Sequence, residues 1–480
     1  VKHAHRATAT VLVVSEFANT KISLAQVVSR FTHNWCPGSR PKPTGLVDAV
    51  LDLRVTTTGA ILLFVVVTTV GLTTLSACRR PRWFPAGLAT AVAATVTTVV
   101  STAVFVEKVW QPFPDHLPWT VYTWSGAAVL AIALLIGRWF VRRRNRPIVA
   151  TGLVAAATAV VLCAAGGTNA VYDAYPTVRA ALGIGEYRTV PFDAALAPRS
   201  DRHPLPPGKW RAPVDTPATG AVAKTAIPAT VSRFPAREAR IYLPPAYFTT
   251  PRPDLPVLVL LAGQPGSTDD WLIGGGLTDT MDAYAAAHQG LAPITVLADD
   301  TGGPFANPLC VDSHLGNVAT YLSVDVPEWI RTHLQVDPNP RAWAVGGLSY
   351  GGTCALQLAT TRPDVYPTFL DMSGQAEPLL EDRAGTIRKV FGGDAEAFAR
   401  NNPAELLKRN RYPDSAGAFV VGRDDTEYLG DLERLTVTAR AAGMDVHLTE
   451  LPGGHSFAVW SAGLEQELPW LGRRFGLDIS

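Results

Sequence analysis

Gly347-Leu348-Ser349-Tyr350-Gly351 is a G-x-S-x-G pentapeptide set between two telling flanks. The apolar run Trp343-Ala344-Val345 leads into it, and Thr353-Cys354-Ala355-Leu356-Gln357-Leu358-Ala359 follows with helix-compatible composition. Strand, tight turn and helix form the context of a nucleophile elbow. The two glycines let the backbone pass close to itself while the serine hydroxyl stays exposed. Ser349 is therefore the candidate nucleophile. A plain turn serine is the alternative.

Two further segments carry the chemistry that a serine needs. Ala418-Phe419-Val420-Val421-Gly422 reads as a short buried strand, and Arg423-Asp424-Asp425 follows on its loop. Val446-His447-Leu448-Thr449-Glu450-Leu451 alternates as a strand does, and Pro452-Gly453-Gly454-His455-Ser456-Phe457 comes after it. A serine hydroxyl is a weak nucleophile until an imidazole takes its proton, and a carboxylate fixes the imidazole tautomer. His455, on a glycine-rich loop, is the candidate base. His447, inside the strand, reads as a packed or surface histidine. The order serine, acid, histidine is that of α/β-hydrolases.

An oxyanion hole needs two N–H donors. Tyr350, next after the nucleophile, supplies one. The other belongs to the loop after an early strand, here Gly263-Gln264-Pro265-Gly266 after Pro256–Ala262. Pro265 has no N–H. Gln264 is the preferred donor and Gly263 the second choice.

From about Arg240 to the C-terminus the chain resembles the esterase D and mycolyltransferase branch of the α/β-hydrolases. The resemblance is carried by Ile241-Tyr242-Leu243-Pro244-Pro245 and Tyr247, Leu260–Gly263, Asp269-Asp270-Trp271, Tyr321–Ile330, the elbow and Gly454–Phe457. It implies an α/β-hydrolase fold with a mostly parallel sheet and a Ser-His-Asp triad. Related enzymes place the acid three residues past the strand-ending glycine, which favours Asp425 over Asp424. Ala262 departs from the His or Asp that relatives often carry there. Some mycolyltransferases use glutamate as the acid, and this chain offers aspartates.

The N-terminal part has another character. Val55–Cys78, Trp83–Val106, His116–Gly137 and Pro147–Tyr172 contain no Asp, Glu, Lys or Arg. About 20 apolar residues cross a hydrocarbon core, so four transmembrane helices are predicted, at about 55–78, 83–106, 116–137 and 147–170. Arg79, Arg80 and Arg82 lie between the first two, and Arg138, Arg142, Arg143, Arg144 and Arg146 between the last two. The positive-inside rule puts both clusters in the cytoplasm and everything after Tyr172 outside. Residues 1–54, a poorly defined segment, hold seven basic residues that fit an outside location badly. Two readings remain: an over-extended start, or a cytoplasmic tail with only three spans. Residues 173–233 read as a Pro/Ala-rich tether and domain entry, and 234–480 as the catalytic domain. A fragment from near Thr216 is expected to fold alone.

Residues 1–165 hold 16 Lys+Arg and 5 Asp+Glu, whereas the remainder holds 26 and 36. The acidic half argues against nucleic acid as partner. An oxidising exterior permits Cys310 and Cys354 to pair. No zinc pattern, phosphate loop or dinucleotide fingerprint is present, so neither cofactor nor metal is implied, and no protein partner is inferred. The expected function is a membrane-anchored serine esterase or acyltransferase acting outside the cytoplasm on lipid or glycolipid esters. Mycolyl esters fit the resemblance, and aminoacylated phospholipids fit the acidic domain. The competing reading is a catalytically silent domain in a membrane scaffold or sensor. The intact trio argues against it, as does the lack of ionisable groups inside the spans.

Overall fold

The computed structural model describes residues 45–77, 84–111, 116–141, 147–198 and 205–477. The two arginine clusters, Arg138 excepted, lie outside the described residues, as does most of the segment 1–54.

Four long helices come first: α1 (Thr58–Ser76), α2 (Phe84–Val104), α3 (Trp119–Val141) and α4 (Pro147–Tyr172). Each carries a stretch long and apolar enough to cross a membrane. A π-helical turn, Phe105–Trp110, extends α2, so the second apolar stretch ends at Trp110 and includes Glu107 and Lys108. The charge-free count had stopped it at residue 106. The bundle's small buried centre is built from Leu75, Ala131, Leu134, Ala157 and Val160, while Leu62, Val66, Val96 and Leu162 are exposed. The centre thus mixes Ala131 and Ala157 with larger Leu and Val side chains, while many large apolar side chains cover the outside. Gly71 shows the close approach: a Cβ there would stand 2.4 Å from Val160 Cγ2 on α4. Arg138 closes the end of α1 by donating to the carbonyls of Leu75 and Ala77, at 2.8 and 2.7 Å. A cation there also favours the negative end of the helix dipole.

The chain leaves α4 without slack. The Asn169 side chain exchanges two 2.9 Å hydrogen bonds with the backbone of Tyr175. Val55 N–H donates to Pro176 O, Val178 N–H donates to Leu53 O, and Arg179 pairs with Asp48 and Asp52. Residues 48–55 and 173–179 therefore meet at one end of the bundle.

The segment expected to be a tether is folded onto the hydrolase. It supplies β1 (Thr189–Val190) and β2 (Ala221–Thr225), and it buries Leu196 and Trp210. Tyr247 Oη donates to Leu196 O, and Trp210 Nε1 donates to Pro251 O. A fragment from Thr216 would lose β1 and both of these buried side chains. Proline content made the segment read as a stiff spacer, but its few large apolar residues decide its place.

The rest of the sheet comprises β3 (Ala239–Leu243), β4 (Val257–Leu261), β5 (Ile294–Leu297), β6 (Trp343–Leu348), β7 (Thr368–Met372), β8 (Ala416–Gly422) and β9 (Asp445–Leu451). The order is β1-β2-β3-β5-β4-β6-β7-β8-β9. The β2–β3 and β3–β5 pairs are antiparallel, and all others are parallel. Strands β4, β6, β7 and β8 are buried along their whole length, as a sheet covered on both faces requires. Helices α5 (Leu277–Ala287), α6 (Val326–His333), α7 (Tyr350–Thr361), α8 (Thr426–Ala441) and α9 (Phe457–Phe475) accompany the strands. This is the α/β-hydrolase fold, preceded by four membrane-length helices. Ligands in such sheets bind beyond the carboxyl ends of the strands, and the loops after β4, β6, β8 and β9 converge there.

Candidate active site

Ser349 sits between β6 and α7 with φ 53° and ψ −119°. That conformation is strained for a residue with a Cβ and persists only where the surroundings enforce it. The flanks show how. A Cβ on Gly347 would stand 2.3 Å from the carbonyl carbon of Gly351, and one on Gly351 would stand 2.3 Å from Ala262 O. Only glycine fits at either place. Ser349 N–H donates to Met372 O at 2.7 Å, which ties the turn to β7.

The three side chains singled out in the sequence form one hydrogen-bonded chain. His455 Nε2 lies 2.9 Å from Ser349 Oγ, and His455 Nδ1 lies 2.9 Å from Asp425 Oδ2. Asp425 is buried and His455 half-buried. Asp424, one residue earlier, is exposed. Asp425 occupies the N-cap position of α8 without a side-chain cap bond, so its carboxylate is left for the histidine. His447 lies elsewhere, paired through Nε2 with the buried Glu467 at 2.7 Å.

Two aromatic rings hold the imidazole, and nothing in the sequence pattern had marked them. Tyr428 stacks on it with centroids 4.4 Å apart, and Trp460 meets it edge-on at 4.9 Å. Tyr428 follows Asp425 by one helical turn, the single local signal that could have found it.

Gln264 and Tyr350 both line the cavity above Ser349. Their loops touch: a Cβ on Gly263 would come 3.5 Å from Ser349 Cβ. The Tyr350 N–H opens α7, where unpaired helix donors and the dipole favour developing negative charge. The Gln264 side chain donates from Nε2 to Phe305 O at 3.1 Å.

Cys310 and Cys354 form a disulfide with Cα atoms 5.4 Å apart. Cys310 N–H also donates to Tyr350 Oη at 2.9 Å, and Tyr350 Oη donates to Asp300 O. The 310 loop therefore grips α7 at Tyr350 and Cys354. Among the described residues no cluster of His, Cys, Asp or Glu could hold a metal ion.

The cavity measures about 610 Å³. It takes in Asp270, Asp424, Asp425 and Glu427 but, among the described residues, no Lys or Arg, and its apolar lining includes Leu348, Phe457 and Trp460. His116, Leu117, Pro118 and Val121 border it from the start of α3, and Val171 and Tyr172 border it from the end of α4. Sequence reasoning had given the helices no part in the site.

Asp371 lies beneath the elbow on β7. It is fully buried, and its pKa is raised from 3.8 to about 7 by that burial, against one lowering hydrogen bond from Gly374 N–H. Between about pH 4 and 7 the unfolded carboxyl is ionised while the folded one keeps its proton. The folded state then binds more protons, so stability falls as pH rises through this window and levels off above it. In Asp371→Asn that slope should vanish. The melting temperature of the variant minus that of the parent should climb from pH 4 to 7 and then stay flat. A constant difference would contradict the assignment.

Residues 235–471 match the esterase family model, described as "Putative esterase". Over 417 residues the chain is 37% identical to "Uncharacterized protein Cgl0967/cg1104" of Corynebacterium glutamicum, covering 84% of this chain and 92% of that protein. The chain belongs to the esterase family. The esterase is a serine hydrolase, and its likeness to the Corynebacterium protein extends well beyond the hydrolase domain. Among solved structures it is similar to a ferulic acid esterase, with 20% identity, TM-score 0.46, and coverage of 55% of this chain and 100% of that one. It is also similar to an S-formylglutathione hydrolase from Agrobacterium tumefaciens, with 19% identity, TM-score 0.44, and coverage of 55% and 98%. A third is MPT51 of Mycobacterium tuberculosis, with 18% identity, TM-score 0.36, and coverage of 52% and 98%. At such identity and overlap these add nothing to the family assignment.

Proposed function

We propose that the esterase is a membrane-anchored enzyme acting outside the cytoplasm on lipid or cell-envelope esters, through an acyl-enzyme on Ser349. The observation that carries this reading is the unbroken chain Asp425–His455–Ser349 at 2.9 Å per link, placed against membrane-length helices. Ser349 Oγ attacks the ester carbonyl as its proton passes to His455 Nε2. Asp425 stabilises the imidazolium, and the N–H groups of Gln264 and Tyr350 receive the oxyanion. The tetrahedral intermediate expels the alcohol, which takes the proton from His455. Water or a hydroxyl acceptor then attacks the acyl carbonyl as its proton passes to His455, and collapse of this second tetrahedral intermediate frees the acyl product as His455 returns the proton to Ser349 Oγ. Which acceptor wins depends on how well water is excluded.

The lining favours one of the two ester classes considered. Besides Asp425, which faces His455, the cavity lining holds Asp270, Asp424 and Glu427 and, among the described residues, no Lys or Arg, so it suits a substrate bearing an ammonium group. Aminoacylated phospholipids have one, and mycolyl esters of sugars do not. The purified full chain in vesicles should release amino acid from an aminoacylated phospholipid faster than it releases mycolic acid from a sugar mycolate. The reverse ranking would overturn this choice of substrate.

Orientation is tested separately. Val214 is fully exposed on the hydrolase. In intact cells Val214→Cys should react with a membrane-impermeant maleimide above the background of the parent chain. Labelling only after lysis would place the hydrolase in the cytoplasm.

A further inference from the structure

The cavity over Ser349 is not bounded by the hydrolase alone. Leu117 and Val121 of α3 and its lead-in, with Val171 and Tyr172 of α4, line the same cavity as the triad. Two sets of contacts join the outer ends of the bundle to the catalytic loops. Directly after α4, Ala174 O and the Phe457 ring both crowd Gly274, each 2.8 Å from where a Cβ would stand, and Phe457 is two residues past His455. At the end of the α2 extension, the Trp110 ring packs 6.0 Å from that of Phe305, whose carbonyl accepts from the Gln264 side chain. The histidine loop and the loop bearing Gln264 therefore both rest on the helix ends.

Those ends also mark a depth. Trp110 and Trp119 are 52% and 74% exposed, and Tyr172 stands at the same end of the bundle. Exposed tryptophans such as Trp110 and Trp119, at the ends of membrane-length helices, sit at the headgroup level of a bilayer. The serine thus opens at the height where a lipid's ester linkages lie, above its hydrocarbon.

We infer that the outer ends of α3 and α4 are a wall of the substrate site, and that the enzyme takes lipid esters sideways from the outer leaflet. The apolar chain stays beside Leu117, Val121 and Val171 while the ester carbonyl reaches Ser349. This rests on the reading of Ser349 as nucleophile. The advantage is physical. Lifting a long chain into water costs about fourfold in affinity per methylene, and a lateral entry avoids most of that. A tether would raise only the local concentration of enzyme at the surface, whereas a wall discriminates by chain length.

The test uses the full chain in liposomes and two probes, hexadecyl and ethyl fluorophosphonate. The quantity read is the ratio of their labelling rates at the active serine. Val121→Trp and Val171→Trp should lower the hexadecyl-to-ethyl ratio by about tenfold or more, the scale on which an apolar pocket discriminates. Leu117→Ala, which adds no bulk, should lower it by a smaller factor. Leu162→Trp, on the exposed face of α4, should leave it unchanged. An unaltered ratio in the Val121, Val171 and Leu117 variants overturns the wall, whether both rates fall together or neither moves. Failure of the parent enzyme to react with either probe would instead overturn the Ser349 reading.

Discussion

Ser349→Ala should reduce ester hydrolysis on the order of 10⁶-fold, the loss found when the nucleophile is removed from a comparable serine enzyme. The fold should survive. The elbow's strain is set by Gly347 and Gly351 and by the Ser349 N–H bond to Met372, none of which involves the hydroxyl. Losing Oγ leaves His455 Nε2 without its serine partner, yet the bond from Nδ1 to Asp425 and the Tyr428 stack still hold the ring. The melting temperature should therefore stay close to that of the parent while turnover and fluorophosphonate labelling disappear. Retention of more than a few percent of activity would place the nucleophile elsewhere.

Asp425→Asn should cost about 10⁴-fold in kcat, because asparagine favours the wrong imidazole tautomer. Asp424→Asn should cost little. The two aspartates are neighbours in sequence but differ in surroundings: one is buried 2.9 Å from His455 Nδ1, the other exposed at the cavity mouth. Equal mild losses would sink the assignment of Asp425, and a severe loss from Asp424→Asn alone would transfer the role.

What could be read beforehand divides along physical lines. The elbow was legible because its signal is local: two glycines, a serine, and flanks of opposite periodicity. The converging loops were legible because parallel strands end in short turns whose residues stand adjacent in the chain. The four helices showed themselves by uniform composition, though Glu107 near the end of the second fell outside a charge-free window. The disulfide was open as a permitted pairing, and only the fold brings Cys310 to Cys354 across 44 residues. Contacts between distant, unrelated segments left no mark. Tyr428 and Trp460 on His455, Trp210 under the domain, and Val121 and Val171 opposite the serine are products of tertiary packing. The last two change the role of the helices most. Composition suggests an anchor and a spacer, whereas Asp173, directly after the fourth helix, bonds to Ser456 beside His455.

Mass spectrometry of the esterase quenched in acid during turnover of a slowly deacylating ester would test the central claim most directly. After reduction of the Cys310–Cys354 bridge and digestion, the peptide bearing Ser349 should be heavier by the mass of the acyl group, and in Ser349→Ala no peptide should carry it. Turnover without any adduct at Ser349, or an adduct on another residue, would contradict the mechanism.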